Sequence, residues 1–228
     1  MKIGIIAPLK LLKYNTTKIH YCLPRLITEN EEYRKFMKLR LGRGDTVIMD
    51  CKSLYWQREP EDIYVVGDAL LLVRPTYIIY PSYMYDIKAT LALIEAYTEL
   101  FNRYRLRSIP CVEGASREGF KRCLESYKSK EIAIPNHTFG LFDQTIIKDR
   151  FVIYIDNCKM AEELVGYGDG ILVTSLPIRL GLLGRLLSNP KPMPPSLTYT
   201  EDVELPALER VIDRNVKEMI ELYEEGSV

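Results

Sequence analysis

The chain repeats one pattern. A short apolar, β-branched run closes in a polar or proline-bearing turn, and a stretch with helical spacing follows. The runs are 46–50, 77–82, 108–114, 132–136, 151–157 and 170–177. Continuous runs of this kind suit strands covered on both faces, and not strands with one wet face. Strand–helix repetition builds a parallel sheet, and this many repeats predict a single (β/α)8 TIM-type barrel over 1–228. The strand C-termini of such a barrel form one rim. That rim would gather Asp50, Ser82, Glu113, Asn136, Asp156 and Thr174.

Hydrophobic residues make up 47% of the chain, enough for a large core. No apolar run approaches the ~20 residues of a membrane span. The start, 2–7, reads as a strand and not a signal peptide, because Pro8 and Lys10 follow at once. The five cysteines are scattered and form no CxxC pair, so neither a zinc knuckle nor a disulfide framework is expected. A cytoplasmic setting without cofactor, metal or membrane follows; a homo-oligomer is left open. Gln occurs only at 57 and 144, a depletion that fits a thermophilic source.

Net charge is zero but unevenly spread. Residues 1–43 carry ten Lys/Arg against three Glu, and 201–228 carry nine Asp/Glu against three Lys/Arg. A basic entry segment at 8–43 attracts polyanions such as DNA or tRNA; a solvated basic helix explains the same charge.

Along the chain, 8–28 reads as a long irregular stretch, and such loops are often functional. Helices are expected over 29–41, capped by Thr28 or Asn30, from 61 to before Pro75 with Pro60 at its first turn, and over 86–105. Others are expected from Ser116 to 128, over 139–148, from 158 to 165, and over 205–223. The eighth strand is expected, irregularly, at 196–200.

Asp50, Glu113 and Asp156 at strand ends are the strongest chemical signal. Carboxylates sharing a pocket can divide acid, base and nucleophile roles. Each could instead cap the turn that follows it. His137 directly follows a strand and can shuttle protons or sit on a surface loop. Thr174, Ser175, Arg179 and Arg185 cluster after 170–173, where barrels often bind phosphate. Tyr55, Trp56, Tyr83 and Tyr85 could stack on a base or pack over the rim.

The order of six segments resembles the tRNA-guanine transglycosylase superfamily, and more closely its short viral and DNA-acting branch. Tyr21-Cys22-Leu23-Pro24 with Tyr33-Arg34-Lys35-Phe36 is similar to the branch's entry segment. Val47-Ile48-Met49-Asp50 resembles the strand bearing its first active-site Asp. Ile78-Ile79-Tyr80-Pro81-Ser82, with Asp86 and Thr90, resembles the strand ending in a Pro-Asp pair. Pro110-Cys111-Val112-Glu113-Gly114 resembles its Val-Gln-Gly turn, and Ile132-Ala133-Ile134-Pro135-Asn136 its Gly-Ile-Pro strand. The stretch from Gly170 to Gly184 resembles the strand and Pro-Arg turn that hold the nucleophilic Asp.

The resemblance implies exchange of guanine for a 7-deazaguanine base in DNA or tRNA, in a viral or archaeal setting. In the family one Asp attacks the sugar C1′ and another recognises the base and transfers a proton. Asp50 stands in the latter's first-strand position. Ser82 stands at the Pro-Asp position, Glu113 at the Gln position, and Val173 or Thr174 at the nucleophile position. The resemblance thus places catalysis at Asp50, and Asp156, the other carboxylate on the expected rim, is the substitute nucleophile or base. Ser82, Glu113, Asn136, His137, Thr174, Ser175 and Arg179 are the expected substrate-binding residues. Two alternatives are a catalytically inactive barrel that binds nucleic acid or a protein partner, and an unrelated phosphate-handling barrel enzyme.

Overall fold

A computed structural model of the chain describes residues 2–6, 12–13, 15–52, 59–142, 144–147, 149–155, 170–175 and 216–217. Eight strands, all paired in parallel, make one sheet: β1 (Lys2–Ile6), β2 (Ile19–Cys22), β3 (Thr46–Asp50), β4 (Tyr77–Ile79), β5 (Ser108–Ile109), β6 (Glu131–Pro135), β7 (Phe151–Ile155) and β8 (Gly170–Ser175). The ladder runs β5-β4-β3-β2-β1-β8-β7-β6. Its two ends meet just beyond β5, where Cys111 bridges to Ala133 of β6. Val112 N–H donates to the Ala133 carbonyl and Ala133 N–H to the Pro110 carbonyl, both at 2.9 Å. Among the described residues closure leaves no free edge, and the sheet is a barrel of the TIM type.

On β6 and β7 strand alternation divides the apolar residues between two packings. Ala133, Ile153 and Ile155 join Ile48, Ile79, Ile109 and Ile171 in one core, which also takes in helix residues such as Val66, Ala69 and Phe101. Ile132, Ile134, Val152 and Tyr154 take the opposite face and pack with Phe120, Cys123 and Leu124. The helices are α1 (Pro24–Glu29), α2 (Glu31–Gly42), α3 (Ile63–Leu72), α4 (Ile87–Arg103) and α5 (Arg117–Ser126). Side-chain caps start four of them: Asn30 accepts from Tyr33 N–H, Asp62 from Tyr64, Asp86 from Ala89 and Ser116 from Gly119. Each cap satisfies an orphan amide and fixes where its helix begins. Among the described residues no helix is long and apolar enough to cross a membrane.

Three expectations need correction. The stretch 8–28 is not irregular throughout, since it contains β2 and α1. β2 is short and holds a polar residue, yet all four of its residues are buried. His20 is tolerated there because Asp45 Oδ2 lies 3.2 Å from its Nε2, and Phe36 meets its ring edge-on at 5.4 Å. With β2 in place, the sheet reaches eight strands without 196–200, which lies outside the described residues, as does 158–165. Of 205–223 only Val216 and Lys217 are described, and both are helical. The helix expected over 139–148 is replaced by short 3-10 turns at Asn136–Thr138 and Gln144–Ile146. Pro60 does not open α3. It bridges antiparallel to Lys52, and Asp62 takes the capping role.

Candidate functional site

The site is assembled from the ends of four neighbouring strands. β3 ends in Asp50, β4 leads through Pro81 to Ser82, β5 extends to Glu113, and β6 runs into the turn bearing His137. Glu113 is 1% exposed and its carboxylate is held from several sides. Ser82 Oγ donates to Oε1 at 2.8 Å. His137 Nε2 lies 2.6 Å from Oε2. The Tyr85 amide points at Oε2 from 3.4 Å. Tyr85 takes a left-handed backbone, φ 65°, which non-glycine residues adopt at a cost of ~1–3 kcal/mol. Its ring also meets His137 edge-on, with centroids 4.9 Å apart.

Gly114 makes this turn possible. A Cβ there would lie 2.5 Å from the Phe120 backbone nitrogen, inside the first turns of α5. Only glycine lets that helix close on the strand end that carries Glu113.

The imidazole of His137 is oriented by the carboxylate. With Nε2–H directed at Glu113, the neutral ring presents Nδ1 as an acceptor. A carboxylate-held imidazole of this kind can take or give a proton at that atom.

A second group lies on β2 and β3. Tyr21 donates its hydroxyl to Asp50 Oδ2. Lys52 Nζ stands 3.5 Å from the same oxygen, and the two side chains are 11% and 0% exposed. Asp50 Oδ1 is buried and has no hydrogen-bond partner among the described residues. An unsatisfied buried acceptor costs free energy until a donor reaches it. A ligand N–H or O–H entering the barrel mouth would supply one.

Cys111 stands between the groups. Burial pushes its thiol pKa up, and Glu113 and Asp50 push it further, while Lys52 and a hydrogen bond with Ser82 act the other way. These four side chains therefore all bear on one sulfur. Beyond them, Tyr83, Met84 and Tyr85 are partly exposed.

Of the residues expected to form a site, Ser82, Glu113 and His137 come together by hydrogen bonds, and Asp50 lies in the second group, on the other side of Cys111. Asn136 does not join them: it is exposed on its 3-10 turn, where its carbonyl accepts from Phe139 N–H. Thr174 and Ser175 lie in β8, in register with Ile5 and Ile6 of β1. Asp156 and Arg179 lie outside the described residues, as do Tyr55, Trp56 and Arg185. Val173 is fully buried in the barrel core. Sequence reasoning missed Lys52 and the role of Tyr21. The signal for Lys52 was its place two residues past Asp50, the spacing that keeps one strand face.

No protein-family model and no curated protein matches the chain. Solved structures match the fold across nearly its whole length. A D-tagatose 3-epimerase-like protein aligns with TM-score 0.54 and 10% identity, covering 100% of both chains. The YdjI aldolase from Escherichia coli K12 aligns with TM-score 0.55 and 10% identity, covering 96% of this chain and 87% of its own. At such identity the likeness concerns the barrel alone.

Proposed function

We propose that the chain is a diverged tRNA-guanine transglycosylase-like protein that exchanges guanine for a 7-deazaguanine base in DNA or tRNA. The observation that carries this reading is the pair of buried carboxylates at the ends of β3 and β5. One has an oxygen in want of a donor, and the other is fixed by Ser82 and His137. A guanine-type base offers N–H donors on one edge and ring acceptors on another. Asp50 would take the donor edge or move a proton, and Glu113 with His137 would read the remainder. The exposed Tyr83 and Tyr85 would stack on the base, which must leave a duplex to enter the barrel. Asp156 is the candidate for attack at C1′, or for activating the attacking group.

One observation favours a second reading. Val173, at a position where the resemblance expects the nucleophile, is a buried apolar side chain. A barrel that lost that group would still bind nucleic acid or a protein partner.

Incorporation of labelled guanine and 7-deazaguanines into DNA and tRNA separates the two. Incorporation by the wild type that fails in Asp156→Asn, with binding retained, supports exchange and the role of Asp156. Binding of DNA or tRNA without incorporation favours the binding barrel. Such binding should weaken steeply between low and moderate salt, as phosphate contacts release counterions. Absence of binding to every polymer at low salt would defeat both nucleic-acid readings.

A further inference from the structure

Lys52 is the one lysine or arginine that is buried among the described residues. Its stem is covered, and its Nζ reaches Asp50 Oδ2 at the barrel mouth. Long cationic side chains normally keep their heads in water, so the burial of this amine calls for a reason. A pure ion pair is a weak one, because desolvation offsets most of the Coulombic gain. The partner is also unusually placed. Asp50 already accepts from Tyr21, and its Oδ1 still has no partner among the described residues, so the carboxylate can accept more. Burial disfavours the ammonium form of the amine, and the carboxylate beside it is a base within reach of the proton that must leave before Nζ can attack.

We propose that Lys52 is a nucleophilic amine that takes up C1′ of a ribosyl group as a Schiff base. This rests on the reading that a nucleoside enters the barrel, and it places the attack on C1′ at Lys52 and not at Asp156 or at the Val173 position. The step balances within the site. Lys52 passes one ammonium proton to Asp50, and Nζ attacks C1′. The C1′–N bond breaks with its electron pair going to the base, which takes the proton from Asp50. The nitrogen lone pair then opens the C1′–O4′ bond, and O4′ takes a second of the ammonium protons. The third stays on the iminium nitrogen. Water attacking C1′ reverses the linkage and frees the amine. An aldehyde that already lacks its base would join more simply, its carbonyl oxygen leaving as water.

The test is reductive trapping with borohydride on the full chain. One arm uses 2-deoxyribose 5-phosphate, and the other a single-stranded oligonucleotide with one aldehydic abasic site. Peptide mapping then locates the adduct. Trapping at Lys52 should exceed that at the exposed Lys35 and Lys121 by about tenfold or more, despite its burial. A label in the first arm alone points to a free sugar phosphate; a label in the second points to a polymer. Lys52→Arg keeps the charge beside Asp50 but cannot form the adduct. It should remain folded by circular dichroism and lose the site-specific label. Labelling confined to exposed lysines in both arms overturns the proposal, even if base exchange is found. Trapping at Lys52 without any exchange or base release would instead retain the amine chemistry and remove the transglycosylase reading.

Discussion

Glu113 is the residue on which the candidate site most depends, and removing its carboxylate has a cost that the geometry sets. Glu113→Ala leaves the Ser82 hydroxyl without its acceptor at 2.8 Å and His137 Nε2 without its partner at 2.6 Å. Hydrogen bonds to a charged group contribute about 1.5–3 kcal/mol each. The third contact, from the Tyr85 amide at 3.4 Å, is long and adds little, but it helps hold a strained backbone. Against this stands relief from burying a carboxylate that is 1% exposed. Removing one partner of a buried pair nevertheless costs about 3–5 kcal/mol. Glu113→Ala should therefore lower stability by about 3 kcal/mol. Glu113→Gln keeps the shape. Its carbonyl can accept from His137 while its amide donates to a rotated Ser82 hydroxyl, so it should cost about 1 kcal/mol. Urea unfolding followed by far-ultraviolet circular dichroism measures both, with the denaturant slope expected to stay constant. If Glu113→Ala falls within about 0.5 kcal/mol of wild type, the carboxylate is not held as described. The orientation of His137 would then lose its basis.

Two further perturbations read the frame around the site. His20, with its side chain fully buried, has its pKa lowered to about 4, chiefly by desolvation, although its hydrogen bond to Asp45 opposes this. The folded state thus favours the neutral ring. Stability from this residue is fully present above the ordinary value near 6.5 and is lost as pH falls from there to about 4, a span equivalent to about 3 kcal/mol. Urea unfolding at pH 7, 5.5 and 4 should show the loss, and His20→Gln should flatten that part of the profile; an unchanged profile in the variant refutes the assignment. Gly114→Ala should destabilise by about 2 kcal/mol or more, because the added methyl meets backbone and not a yielding side chain. It should also weaken any ligand contact made through Glu113, and a variant as stable as wild type would show that α5 is not seated on this turn.

Much of the frame was legible because its cues are local. Asn30 and Ser116 cap where their side chains and the following apolar spacing allow, and β3, β6 and β7 are continuous apolar runs. β2 escaped notice because its stability is not local. Ile19–Cys22 contains a histidine, and its burial depends on Asp45 and Phe36, 25 and 16 residues away in sequence. β5 is read from sequence as a longer strand, since its pairing moves past Ile109 to the Cys111–Ala133 bridge that closes the barrel. Within the site, strand-end position sufficed for Asp50, Ser82, Glu113 and His137. It failed for Asn136, because the turn after Pro135 directs consecutive residues differently. It failed for Lys52 because a lysine after a strand ordinarily belongs to the surface.

The closed barrel bears on the proposed reading. Strand ends converge on one mouth, so a chemical role is tied to the mouth and not to a particular strand. An Asp before Glu113 would put two carboxylates within reach of each other, and like charges there would raise the cost of ionising both. Ser82 instead donates to Glu113 at 2.8 Å, a neutral partner for a buried carboxylate. The same reasoning links β3 and β8. Under the proposed reading, Val173 stands where a carboxylate is expected, and Lys52 places an amine beside Asp50. If the reacting group has moved between strands, Lys52→Arg should abolish chemistry at C1′ while Val173→Ala leaves it intact. If it has been lost, the two variants should bind nucleic acid alike and neither should differ from wild type in turnover.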